Sequence, residues 1–170
     1  AMGQLAEARP FYERALAITE QALGANHPDT ASSLNNLGAL LQAMGQLAEA
    51  RPFYERALAI REQALGPDHP DTAQSLNNLG YLLQAMGQLA EARPFYERAL
   101  AIREQALGPD HPDTAQSLNN LGYLLQAMGQ LAEARPFYER ALSIFEKSLG
   151  ADHPNTKVVH NNLESLKSKL

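Results

Sequence analysis

Residues 43 to 84 and residues 85 to 126 are the same 42 letters in the same order, AMGQLAEARPFYERALAIREQALGPDHPDTAQSLNNLGYLLQ. A chain that repeats itself at such a period folds as an array, in which each unit buries its apolar face only against its neighbours. Residues 1–42 depart from the unit at Thr19, Ala25, Asn26, Ser32 and Ala39, and residues 127–168 follow it as far as Leu142 before drifting. The 170 residues are therefore expected to form a single repeat array of four units, not one globule.

Within the unit, Ala73, Leu76, Leu79, Leu83 and Met86 follow one another at steps of three and four, with Gly80 on the same stripe. That spacing is helical. This A helix is predicted to begin at Pro70, whose fixed φ and missing N–H suit a first helical position, with His69 just before it and Asp71 in the first turn. Gly87 is the expected stop, since glycine readily takes the left-handed conformation after a helix end. A second periodic run through Leu89, Ala92, Tyr96, Ala99, Leu100, Ile102, Ala106 and Leu107 forms the B helix, and Gly108-Pro109 is expected to end it by the same logic. At 1.5 Å per residue, A is about 25 Å long and B about 30 Å, with turns too short for anything but antiparallel packing. Pro94 removes one backbone bond inside B and should bend it, with Arg93, Glu97 and Arg98 placing the bend toward water.

Composition narrows the function classes. The chain has no cysteine, so disulfide frameworks and thiolate chemistry are excluded, and residence in the cytoplasm is the expectation. No apolar run approaches the roughly 20 residues of a membrane span. A net charge of -5 with dispersed Lys and Arg lacks the basic stripe that nucleic-acid binding needs. The chain also starts in the middle of the repeat unit, at a B helix, which reads as an excerpt from a longer protein.

The pattern Leu76-x-x-Leu79-Gly80-x-x-Leu83, followed by Ala92-x-x-x-Tyr96 and Ala99, resembles the tetratricopeptide repeat. The small residues have a physical role there, Gly80 and Ala92 at the crossing of A and B, and Ala99 at the approach of the next A helix. Leu76 stands where the family has a large aromatic, and Glu104 where it has a closing proline, so B continues to Leu107. The 42-residue unit, with SLNNLG, EARPFYERALAI and LGPDHPDTA, looks like the variant found in kinesin light chains. The resemblance covers the whole chain. It implies an all-α, right-handed superhelix of eight helices in stacked antiparallel pairs, with A helices lining the concave face, and a scaffold that binds protein or peptide there.

On that face the resemblance places Ser32, Asn35, Asn36, Ala39 and Gln42, then Gln74, Asn77, Asn78, Tyr81 and Gln84, then Gln116, Asn119, Asn120, Tyr123 and Gln126. A side-chain amide offers donors and an acceptor to a peptide backbone, and tyrosine adds flat apolar area with a polar tip. An extended peptide is the expected ligand. The competing reading is that the Asn pairs bond to adjacent helices and fix the array, with Asn36, Asn78 and Asn120 the better binding residues of each pair. Family members that grip a C-terminal carboxylate carry an inner-face lysine where this chain has Asn35, Asn77 and Asn119, so a carboxylate clamp is not implied.

Other candidate chemistry reads as structure. His27, His69, His111 and His153 recur once per unit, but stacked helices about 8 to 10 Å apart put successive imidazoles too far apart to share an ion. They read as helix-entry residues, and no metal or cofactor is expected. His160 and Glu164, four apart on the last helix, make only two ligands. Glu91, Arg93, Glu97, Arg98, Arg103 and Glu104 read as an exposed outer face, and Phe95, Tyr96 and Met86 as packing residues. Identical residues in every copy are not how a catalytic constellation is made, so no enzyme is expected.

The two ends differ. Residues 155–170 read as a polar capping helix, with His160, Glu164 and Lys167 in place of Leu, Gly and Leu of the A stripe. At the other end Leu5, Tyr12 and Leu16 keep an apolar flank, and self-association or end-to-end stacking through this open B helix is expected. A self-assembling rod with no specific ligand, or a repeat-folding test protein, is the rival to the scaffold.

Overall fold

The computed structural model describes residues 2–169, which form α1 (Met2–Leu23), α2 (Pro28–Ala43), α3 (Leu47–Ala64), α4 (Pro70–Ala85), α5 (Leu89–Leu107), α6 (Pro112–Ala127), α7 (Leu131–Leu149) and α8 (Pro154–Lys167). The even-numbered helices are the A helices and the odd-numbered ones the B helices. The chain makes two compact units, the first ending at Gly87 and the second beginning at Gln88. In the first, α1 packs on α2, α2 on α3 and α3 on α4; in the second, α5 to α8 repeat the scheme. The two A helices of each unit also touch. Among the described residues there is no strand, and no helix is long and apolar enough to cross a membrane.

The recurring loop explains why each A helix starts where it does. His69 is the N-cap, and its Nδ1 accepts the Asp71 N–H at 3.1 Å while Pro70 fills the first helical position. The buried Thr72 hydroxyl donates to the carbonyl of Gly66 at 2.8 Å. The same contacts recur at His27 and Thr30, His111 and Thr114, and His153 and Thr156. Each A helix of the first three pairs ends on a glycine of positive φ. At Gly45 (φ 77) its N–H donates to Gln42 O and the Gln46 N–H to Leu41 O, both at 2.9 Å, which satisfies two of the last carbonyls.

B helices end differently from the expectation. Gly108 has φ 96 and ψ 160, an extended conformation of positive φ that only glycine adopts readily, not the left-handed helical one. The chain thereby leaves the helix extended, and the Gly108 carbonyl accepts from Thr114. α5 continues through Pro94, and Ala90 and Pro94 are both exposed, so water can reach the carbonyl that lacks its donor.

The core is the shared surface of A and B. Leu34, Leu76 and Leu118 of the A helices and Ala50, Ala92 and Ala134 of the B helices are buried, as are Tyr54, Tyr96 and Tyr138. A side chain at Gly122 would meet the Tyr138 ring at 3.1 Å, so glycine is what lets that ring lie against the helix.

Candidate functional site

In the first unit, the A helices bring two kinds of amide together. Asn35 and Asn77 are buried. Asn35 Nδ2 donates to Ser75 Oγ on α4 at 3.2 Å, and Asn77 Nδ2 donates to the Ala73 carbonyl at 3.1 Å. The Asn35 bond ties α2 to α4, whereas the Asn77 bond is internal to α4. Asn36 is exposed and Asn78 half-buried. Gln74 Nε2 donates to Asn78 Oδ1 at 2.9 Å, which leaves the Asn78 amide nitrogen available as a donor. Tyr81 is 60% exposed, Gln84 half-buried, and Gln42 Oε1 accepts the Tyr54 hydroxyl at 3.1 Å.

Of these residues Gln42, Tyr54, Asn78 and Tyr81 border an open groove of about 480 Å³ between α2, α3 and α4, together with Ala39, Ala43, Leu47 and Ala85. No charged side chain lines it. Burial, and secondarily the nearby Tyr81, push the Tyr54 hydroxyl up to about 12, so this wall stays neutral well above physiological pH.

The second unit varies the theme. Asn119 is buried, and its Oδ1 accepts from Asn162 Nδ2 of α8 at 3.0 Å. Gln116 Nε2 donates to Asn120 Oδ1 at 2.9 Å, Gln126 Oε1 accepts the Tyr138 hydroxyl at 3.0 Å, and Tyr123 is 51% exposed. The groove here is smaller, about 250 Å³, and Lys169 is one of its walls together with Tyr123, Gln126, Asn162 and Ser165.

One reading of the sequence is corrected: Arg103 does not lie on the outer face. It is 5% exposed, and its Nη1 donates to the Asp113 carbonyl at 3.0 Å and to Ser117 Oγ at 3.1 Å. Arg61 does the same with Asp71 O at 2.8 Å and Ser75 Oγ at 3.1 Å, and its Nη2 reaches Ser32 Oγ at 3.2 Å. Burial lowers the pKa of both, opposed by Asp71 and Asp113. The second half of a B helix faces the start of the following A helix, so a residue beside Ile102 is covered. The signal lay in the drifted copy, where the corresponding residue is Phe145.

The remaining charges do lie outside. Arg93 pairs with Glu97 at 2.6 Å along α5 and with Glu133 of α7 at 2.7 Å; Arg9 does likewise with Glu13 at 2.7 Å and Glu49 at 2.5 Å. Such half-exposed pairs contribute about 1 kcal/mol or less each. Glu164 pairs with Lys167 at 2.8 Å, and His160, Glu164 and Lys167 are all exposed on α8. Among the described residues no three His, Asp or Glu side chains are grouped as metal ligands.

At α1 several large apolar side chains are exposed. Phe11 is 73% and Ile18 53% exposed, whereas Ile60, the counterpart of Ile18, is 3% exposed. A cleft of about 260 Å³ lies among Phe11, Tyr12, Ala15, Ser33 and Asn36.

The profile of the tetratricopeptide repeat family matches residues 1–63, 30–105, 71–147 and 116–170. A search of curated proteins gives no match. Among solved structures, the nearly identical TPR-like repeats described for a kinesin light chain of Podosopora anserina are 32% identical, covering 98% of this chain and 79% of that one with a TM-score of 0.80. A single-substitution variant of those repeats is 30% identical, with 98% and 78% covered and a TM-score of 0.82. BtubC (BKLC) from P. vanneervenii is 26% identical, with 98% and 66% covered and a TM-score of 0.85.

Proposed function

The chain belongs to the tetratricopeptide repeat family, and from that premise we propose that it is a non-enzymatic scaffold whose A-helix faces bind a protein segment in extended conformation. The observation that carries this reading is that each unit sets amides and a tyrosine on an open groove, Asn78 and Tyr81 in the first and Tyr123, Gln126 and Asn162 in the second, with Asn36 and Asn120 on the same A helices. Gln74 and Gln116 hold the Asn78 and Asn120 side chains in place. Those asparagines then meet the peptide backbone, and the tyrosines cover its side chains. Beneath them Asn35 and Asn119 act as braces between A helices, and Asn77 bonds within its own helix. A cytoplasmic setting fits the absence of cysteine.

Random extended peptides selected on the protein supply the test. Selected peptides should shift the backbone NMR signals of Asn36, Asn78 and Asn120 and lose affinity for N36A/N78A/N120A. Binding elsewhere on the surface, or equal binding to a folded triple variant, removes the reading.

A second reading, self-association through α1, is favoured by its exposed Phe11, Tyr12, Ile18 and Leu23. It requires a mass in solution that rises with concentration and a Phe11→Glu variant that stays monomeric. A strictly monomeric parent protein with an ordered α1 would count against it.

A further inference from the structure

The geometry points to a specificity pocket in the first unit: the groove beside Ala39 takes one bulky, uncharged side chain, aromatic or branched aliphatic, from the extended segment bound by the A-helix face. The inference rests on the peptide-binding reading above and assigns that site its substrate class.

Position 39 is one of two places, with Ser32, where the first A helix departs from the other complete copies. Alanine stands there, and tyrosine stands at the same place in α4 and α6, as Tyr81 and Tyr123. The missing ring leaves Ala39 exposed and opens the space beside Tyr81, whose own ring is 60% exposed. Leu47 and Ala43 lie along the same groove, and its volume of about 480 Å³ is within the range of about 300–1,000 Å³ common to small-ligand sites.

The lining chooses the chemistry of the occupant. Apolar carbon comes from Ala39, Ala43, Leu47 and the two tyrosine rings. The polar atoms are partly committed already, Gln42 Oε1 to the Tyr54 hydroxyl and Asn78 Oδ1 to Gln74. A carboxylate or ammonium entering here would lose water without gaining a counter-charge, which disfavours it strongly. A neutral bulky group loses only its apolar hydration, and an aromatic one can also stack on the Tyr81 ring. The second unit offers no equivalent, since its groove beside Tyr123 has about half the volume and a lysine on its wall.

N-acetyl-tryptophanamide and N-acetyl-leucinamide, titrated while backbone NMR signals are followed, serve as probes, with the N-acetyl amides of aspartate and lysine as charged counterparts. The neutral probes should shift Ala39, Ala43 and Ala85 saturably, and the charged ones should bind about tenfold more weakly or worse. Ala39→Tyr should weaken the neutral probes by about tenfold, and Ala39→Leu should weaken them too. The tyrosine variant is expected to fold because α4 and α6 already carry that residue in the same context. Unchanged probe binding in both variants, equal binding of charged probes, or shifts confined to the Phe11 cleft would overturn the pocket. Peptides selected on the parent protein separate the two claims. If they lose affinity for N36A/N78A/N120A but bind Ala39→Tyr unchanged, the peptide-binding face stands and the pocket falls; if neither variant affects them, both fall.

Discussion

The ring of Tyr54 lies where a side chain at position 38 would have to go: a Cβ on Gly38 would be 3.1 Å from Cε1 and Cζ of that ring. Tyr54 is 3% exposed, and its hydroxyl is held by Gln42, so the ring can retreat only by giving up that bond. Gly38→Ala should therefore destabilise the protein. Crowding costs about 1–3 kcal/mol, and the better helix propensity of alanine returns at most about 1. Thermal unfolding followed by circular dichroism measures the net loss, and an unchanged or raised Tm would contradict the contact.

Alkaline unfolding should report the same tyrosine. Burial raises the Tyr54 pKa to about 12 from 10.0, with Tyr81 adding to the shift, and burial also raises that of Tyr138. A folded-state pKa above the unfolded one means that the folded protein holds the proton more tightly. This stability is complete below pH 10 and is lost as pH rises from there toward 12. The chain has no tryptophan, so tyrosinate absorbance can be followed directly. Y54F/Y138F should flatten the loss of stability over this window, and an equally steep loss in the double variant would refute the assignment.

Arg61 should matter more for folding than its charge suggests. Removing it in Arg61→Ala takes its donors from the buried Ser75 Oγ and from the partly buried Ser32 Oγ and Asp71 carbonyl. A loss of about 2–4 kcal/mol in a urea titration is expected, with Arg61→Lys recovering only part of it because ammonium lacks the planar fork. A cost under about 0.5 kcal/mol, the level of an ordinary surface change, would contradict the burial.

The histidine cap can be tested by exchange. His69→Ala should cost about 1 kcal/mol, whereas His69→Asn or His69→Asp, which also accept from the second N–H of the helix, should retain most of the stability. Equal losses in all three would mean that the imidazole does something other than accept the Asp71 N–H.

Much of the fold was legible because the repeat stated it again and again. The period set the unit, the spacing from Leu76 to Leu83 set the A helix, and Gly87 set its end. The B-helix limits at Leu89 and Leu107 were readable for the same reason. What stayed hidden depends on which neighbour covers a residue. Arg103 sits among charged letters and looks solvated, yet the start of α6 buries it. Within the Asn pairs, Asn36, Asn78 and Asn120 were readable as the better binding members, but the bond of Asn35 to Ser75 depends on how α2 packs against α4. His69 was readable as a helix-entry residue, but the bond it accepts from the Asp71 N–H and the Thr72 bond to Gly66 depend on loop backbone angles, which carry no periodic signal.

The most direct measurement of the central claim is the dissociation constant, by titration calorimetry, of a selected extended peptide for the parent protein and for N36A/N78A/N120A under identical salt and pH. A loss of about tenfold or more, near 1.4 kcal/mol, is expected, with the unfolding midpoint of the variant unchanged. An unaltered dissociation constant in the folded variant would contradict it.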